Sequence, residues 1–367
     1  MNNRERAMAI LNYQNYDRLP VVHFAFWDET VQKWQDEGHI TAGEARDHNV
    51  IARKLGFDFD WFTTAQPLTG MNALYPPFKP KVVEELPDGS QKVLDEFGAV
   101  LLKKKGATGI PHEFDHLLKD RQTWEEHYLP RLQFSPHRIN QPLLENLKDD
   151  RARDQPIGLY CGSLMGEIRN CLGVLGLSYL TVDDPELLDE MVNTYGNLYY
   201  QVVEYSLASG AKFDFGHFWE DICYKSGPLV TPAFFRKKVG PHYQRICRLL
   251  NQHGIEIVSL DCDGKIDALI PTWLENGVNT MFPIEVGTWM ASIKPWREKY
   301  GRQIRGVGGT DKKVFAYNRA AVDAEIERLR GLVELGGFIP CPDHRIAPDA
   351  LWGNVAYYCE RMHQVFG

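Results

Sequence analysis

The 367-residue sequence contains no Cys-x-x-Cys pair and no low-complexity segment. It also has no apolar run near the roughly 18–20 residues that span a bilayer, which excludes a helical membrane protein. Positive charge is in deficit: 41 Lys and Arg face 49 Asp and Glu, a formal charge of −8. That balance argues against a broad nucleic-acid-binding face and leaves room only for a local basic patch. The first residues carry charges and no apolar h-region, so no secretory signal is expected and a cytoplasmic location is. Cysteine is sparse and scattered: Cys161, Cys171, Cys223, Cys247, Cys262, Cys341 and Cys359 are odd in number and widely spaced. In a reducing compartment they are expected as small buried side chains rather than a disulfide framework. What is present is ordinary globular composition, 44% hydrophobic and 25% charged. A chain of this length builds a core without covalent staples, and the lack of a linker points to one domain, 1–367.

The recurring unit is a short apolar run, a loop with Gly, Pro, Asp or His, then a helical stretch. Strand candidates are Leu19–Trp27, Phe57–Thr64, Pro156–Ser163, Phe213–Trp219, Ile255–Leu260, Gly277–Pro283, Ile304–Val307 and Gly337–Pro340. Helical stretches separate them: Ala42–Leu55, Pro185–Ala211, Pro232–His253, Ile266–Asn276, Trp289–Tyr300, Ala320–Leu335 and Asp349–Val365. Eight strands alternating with about as many helices predict parallel βαβ units and an α/β fold. Right-handed crossovers close eight such units into a (β/α)8 TIM barrel, with an open doubly wound sheet as the alternative. One region breaks the alternation. Asp88-Gly89 is a strong hairpin signal between Lys81–Leu86 and Gln91–Leu94, followed by Ala99–Lys105. It predicts an inserted antiparallel hairpin after the second strand, either shaping the active site or serving as a structural flap.

In such a barrel, catalytic groups lie where strands end. Those positions carry His23 and Asp28, His217, Glu220 and Asp221, Asp261 and Asp263, Glu285, Asp311, and Asp343 with His344. Within Val258–Gly264, Asp261 and Asp263 are two apart, so extended backbone aims them one way and Cys262 the other. Two carboxylates on one face suit a divalent metal or an acid/base pair; Asp263 could equally cap the next helix. Near the C-terminus, Pro340 and Pro342 stiffen the run that delivers Asp343 and His344. A histidine beside two aspartates completes a mixed O/N metal site or acts alone as acid/base. Trp219-Glu220-Asp221 places acids behind an aromatic, as in a pocket gripping a cyclic ligand by its polar edge. Tyr160, Arg169, His23, Phe24, Phe26, Trp27, His217 and Glu285 are candidates for its walls.

Taken in order, several segments resemble the uroporphyrinogen decarboxylase-like superfamily, which includes cobalamin-dependent methyltransferases. They are Arg4–Leu11 with Asp17–Pro20, Glu167-Ile-Arg169, Asp184-Pro185, Trp219–Asp221 with Gly227-Pro228, Asp263–Ile266, Gly277-Val278, Pro283–Glu285 and Gly308–Asp311. The resemblance runs nearly end to end and implies a (β/α)8 barrel. Two departures narrow the function it implies. The decarboxylase carries an arginine-rich loop after its first strand, whereas His23–Asp28 holds no arginine, which argues against porphyrinogen as substrate. The methyltransferase branch binds zinc through a His-x-Cys pair and a later cysteine; the matching positions here are Asp261, Asp263 and His344. That hard O/O/N set suits zinc or another divalent metal polarising an oxygen better than one activating a thiol.

The resulting expectation is an enzyme that moves a methyl group between a small O- or N-methylated substrate and a corrinoid (cobalamin) carried by a partner protein. Asp261, His344 and Glu220 are its expected catalytic residues, and Asp261, Asp263 and His344 its metal ligands. His23, Trp27, Tyr160, Arg169, His217, Trp219 and Glu285 would bind substrate. The alternatives are a decarboxylase or lyase on a small cyclic acid, and a non-catalytic barrel that carries a corrinoid or tetrapyrrole. No nucleic acid or membrane partner is expected. The oligomeric state is left open, a homo-oligomer included.

Overall fold

The computed structural model describes residues 1–62, 64–70, 72–104 and 112–367. Strand β1 (Val22–His23) pairs in parallel with β2 (Phe59–Asp60), His23 standing opposite Asp60. The chain resumes extended backbone in β3 (Thr64–Ala65) and then departs into four antiparallel strands: β4 (Lys81–Glu85), β5 (Gln91–Leu94), β6 (Ala99–Lys103) and β7 (His112–His116). Between β4 and β5 the chain turns at Asp88-Gly89, with Gly89 at φ 79° and the Asp88 carboxylate accepting from the Ser90 N–H. The parallel sheet then continues through β8 (Gly158–Gly162) and β9 (Phe215–Trp219), after which β10 (Cys223–Tyr224) and β11 (Gly227–Pro228) form a short hairpin. Strands β12 (Val258–Asp261), β13 (Thr280–Ile284), β14 (Arg305–Thr310) and β15 (Phe338–Pro342) follow. Seven strands lie in the order β15-β14-β13-β12-β9-β8-β3, all parallel.

Helices cover this sheet, and its strands are largely buried, as parallel strands faced on both sides must be. Every residue of β12, β13 and β15 is buried. At the outer edges the ladder is discontinuous. Beyond β15, Ile346 bridges in parallel to Phe26; its N–H donates to the Ala25 carbonyl and its carbonyl accepts from the Trp27 N–H, each at 3.2 Å. Beyond β3, the link to β2 is the chain itself. The architecture is therefore mixed α/β with a large parallel sheet, a two-stranded parallel sheet and an antiparallel four-stranded sheet.

Several expectations are corrected in detail. The first strand, expected over Leu19–Trp27, is two residues long because Ala25 adopts a left-handed conformation (φ 54°) and turns the chain. Phe57–Thr64 divides into β2 and β3, with residue 63 outside the described residues; residue 105 of the expected Ala99–Lys105 strand also lies outside them. A helix at Gly166–Asp183 was not foreseen. Its glycines dilute the amphipathic pattern, and Gly173, at φ 68°, bends it where the His116 ring leaves no room for a Cβ.

Candidate active site at the strand exits

The exits of β9 and β12 are tied together by the Glu220 N–H, which donates to the Asp261 carbonyl at 2.9 Å. Asp221, Asp261 and Asp263 consequently converge, each offering an oxygen within 4.8 Å of the others. Asp221 achieves this in a left-handed conformation (φ 46°), unfavourable for a side-chain-bearing residue, and accepts from the Asp263 N–H at 3.0 Å. Gly264 makes the following turn at φ 87°; a Cβ there would sit 2.4 Å from the Cys223 carbonyl oxygen. Its N–H donates to Glu285 at 2.5 Å, and the Thr288 hydroxyl holds the other Glu285 oxygen at 2.9 Å. His344 joins through Asp263, its Nε2 lying 3.4 Å from the carboxylate.

Like charges this close, one of them buried, oppose each other's ionisation, so a retained proton or a compensating cation stabilises the cluster. Burial, then the neighbouring Asp221 and Asp263, push Asp261 well above the ordinary carboxylate range, with Arg345 opposing. Burial and Asp263 raise Asp221 to about 6. Glu285 is raised by burial and Asp263, against the Gly264 and Thr288 donors. Asp261 is only 4% exposed, and among the described residues no donor reaches its carboxylate. At the β15 exit, Asp343 is instead held by the Gly287 N–H at 2.7 Å and the Lys312 N–H at 3.3 Å.

Aromatic side chains flank this cluster. The His344 ring stacks on Trp27 (centroids 5.6 Å apart, 20° between planes) and meets the Phe24 edge at 5.3 Å, while the Arg345 guanidinium lies 5.2 Å from the Trp27 ring. Beside it, a chamber of about 810 Å3 is lined by Phe62, Tyr160, Glu167, His217, Trp219 and Arg345 among others. His217 is 1% exposed, and neither of its ring nitrogens has a hydrogen-bond partner among the described residues. Burial lowers its pKa to about 3, so the ring is neutral.

The structure thus gathers Asp261, Asp263, His344 and Glu285 into one cluster, with Trp27 against it and Tyr160, His217 and Trp219 in the adjoining chamber. Three expected residues sit elsewhere. Glu220 is completely buried. Its carboxylate accepts from Ser163 Oγ, the N–H groups of Leu164, Met165 and Gly166 at 2.7–3.1 Å, and the Tyr243 hydroxyl. This correction has a plain cause: the carboxylate caps the start of the Gly166–Asp183 helix and has no capacity left for a ligand. His23 turns its ring onto Phe26, accepts from the Ala25 N–H at 3.1 Å and lies in neither cluster nor chamber. Arg169 lines a groove shared with Tyr224, 5.8 Å from Trp219, and reaches the cluster only as a charge that opposes the rise of Asp221. Asp221, expected at a strand exit but not grouped with Asp261 and Asp263, joins their cluster, and Arg345, beside His344, was not among the expected residues. Nor was Asp60, which burial raises to about 7; the alternation Phe57-Asp58-Phe59-Asp60 was the available signal.

No family model matches the chain, and no curated protein matches it. Among solved structures, a methyltransferase from Methanosarcina mazei is similar over 99% of this chain and 99% of its own, with a TM-score of 0.59 at 14% identity. A vitamin-B12 independent methionine synthase-type chain from Listeria monocytogenes aligns over 96% of this chain and 100% of its own, at 11% identity and a TM-score of 0.42. A B12-independent methionine synthase from a Shewanella species aligns over 95% and 98%, at 10% identity and a TM-score of 0.41. The first of these supports the fold; the other two carry no argument. No described helix is long and apolar enough to cross a membrane.

Proposed function

We propose that the chain is a single-domain (β/α)8-barrel methyltransferase of the uroporphyrinogen decarboxylase-like kind. It would move a methyl group between a small O- or N-methylated substrate and the corrinoid of a partner protein. The observation that carries this reading is the cluster of Asp221, Asp261 and Asp263 with His344 at the strand exits, where barrel enzymes keep their chemistry. The end-to-end likeness in fold to a methyltransferase supports it. The barrel reading joins the seven-stranded and two-stranded sheets through 59–65 on one side and the Phe26–Ile346 bridge on the other.

The donor set fits a hard divalent cation: three carboxylates close together, one of them buried without a donor, and an imidazole at the edge. Such an ion would supply Lewis acidity to an oxygen leaving the methyl carbon. Asp221, Asp261, Asp263 and His344 would hold it, and a proton retained among the carboxyls would neutralise the leaving alkoxide. Glu285, fixed by Gly264 and Thr288, orients the substrate, and Trp27 closes the aromatic side. Metal analysis of purified protein tests this. The wild type should hold about one divalent ion per chain, and Asp261→Ala and His344→Ala should lose it together with methyl transfer. Equal metal in all three proteins removes the metal site; unchanged transfer in the variants removes the residue assignment.

A further inference from the structure

The chamber beside the acidic cluster has chemistry that the cluster does not explain. Three flat aromatic side chains, Phe62, Tyr160 and Trp219, line it. His217 stands among Phe62, Phe215 and Phe282, with ring centroids 6.2–6.3 Å away. A neutral imidazole carries one donor and one acceptor, and leaving both unmet in a buried place is unfavourable unless a ligand meets them. Tyr160, His217 and Ser259 occupy matching register positions on β8, β9 and β12, so they belong to one layer inside the sheet. The Ser259 hydroxyl is buried and unpartnered as well.

Arg345, half-buried, also lines the chamber. It acts on Asp60 and Asp261 through charge, without a hydrogen bond to either. Its planar fork of donors is thus free of a carboxylate partner among the described residues; the other acid of the lining, Glu167, is engaged by the Tyr199 hydroxyl and the Ala73 N–H. Arginine in that state matches a planar anion, above all a carboxylate. The chamber's volume is ample for one substituted ring, within the range of small-molecule sites.

We propose that this chamber is a subsite for an aromatic carboxylic acid, with the ring among Phe62, Tyr160 and Trp219 and the carboxylate on Arg345. A second polar substituent of the ring, such as a hydroxyl, would take the hydrogen bond offered by His217. The substrate class so named is a methoxylated aromatic acid; this deepens the methyl-transfer reading, and rests on it for the ligand's fate but not for its binding. Trp219 stands opposite Asp261 in the β9–β12 register and Arg345 directly follows His344, so a ligand held here lies against the acidic cluster.

Isothermal titration calorimetry of the full chain with 4-methoxybenzoate, 4-methoxybenzamide, cyclohexanecarboxylate and acetate tests the subsite without knowledge of turnover. The aromatic acid should bind at least about tenfold tighter than its neutral amide and than the saturated acid, with acetate undetected. Arg345→Gln, checked for an unchanged melting temperature, should bring acid and amide to equal affinity. Equal binding of acid and amide to the wild type, which needs no variant, overturns the proposal. So does an aromatic acid that fails to bind, or one whose affinity survives Arg345→Gln. Adding free cob(I)alamin separates the two readings. If the acid binds as expected but keeps its methyl group, the subsite stands and methyl transfer falls. If another methyl donor turns over while the acid does not bind, methyl transfer stands and the subsite falls.

Discussion

The two ends of the parallel strands treat their acids in opposite ways. Where strands begin, carboxylates are matched by arginines. Asp214, before β9, lies between Arg4 at 2.6 Å and Arg153 at 2.9 Å and also accepts from the Ile157 N–H at 2.8 Å. Asp58, before β2, takes both guanidinium nitrogens of Arg18 at 2.7 Å. Where strands end, Asp221, Asp261 and Asp263 crowd together without an arginine bonded to any of them. The contrast is sharpest across two residues of one segment. Burial would raise Asp58, yet Arg18 and the Val21 N–H hold it below its ordinary value. Burial raises Asp60 to about 7 against weaker opposition from the Phe62 N–H and Arg345. One end is arranged for stability, and the other spends stability on a concentration of charge that only a ligand or proton relieves.

This contrast can be broken in several places. Asp214→Ala should have the largest effect, because it leaves Arg153, whose side chain is 9% exposed, without its counter-charge. A loss of about 3–5 kcal/mol is expected in urea unfolding. Next is the pH response of Asp60. Its folded pKa is raised, so the folded state binds more protons than the unfolded state between the ordinary carboxylate range and about 7. Stability from this group is therefore greatest at low pH and falls as pH rises through that window, by up to about 1.4 kcal/mol per pH unit. Asp60→Asn should flatten that part of a stability-versus-pH curve, and a curve superimposable on wild type would show that Asp60 is not raised. Asp261→Asn, in chelator-treated protein, should leave the unfolding free energy unchanged or raise it by about 1 kcal/mol, since it removes repulsion rather than a bond. A large destabilisation would show that Asp261 has a partner after all. Smallest is Asp28→Ala: exposed in the first turn of helix Asp28–Asp36, it should cost under about 0.5 kcal/mol and leave methyl transfer intact.

The parallel strands were legible because burial on both faces writes them as apolar runs, and the positions of their exits followed. Within the site, Asp261 and Asp263 could be read together because their spacing is local. The approach of Asp221 to the other two acids depends on a left-handed residue that nothing in Trp219-Glu220-Asp221 announces. Glu220 was misread for a related reason: its partners at Ser163–Gly166 lie on the preceding strand–helix turn, and an acid behind an aromatic looks the same whether it faces a cleft or caps a helix. Arg345 was passed over because its importance comes from what it lacks, a bonded carboxylate, and sequence does not display that.

The capped helix start has a mechanical meaning for the neighbouring residue. Glu220 is a strut, anchored at one end by three consecutive amides and a tyrosine hydroxyl and joined at the other by a single peptide bond to Asp221. The Gly166 backbone comes so close that a Cβ there would lie 2.2 Å from the Glu220 carbonyl oxygen. Asp221 therefore inherits its coordinates from the helix that follows the preceding strand, β8. The acids can be brought close, against their repulsion, because Asp221 is placed by this anchored strut rather than by contacts among the acids alone.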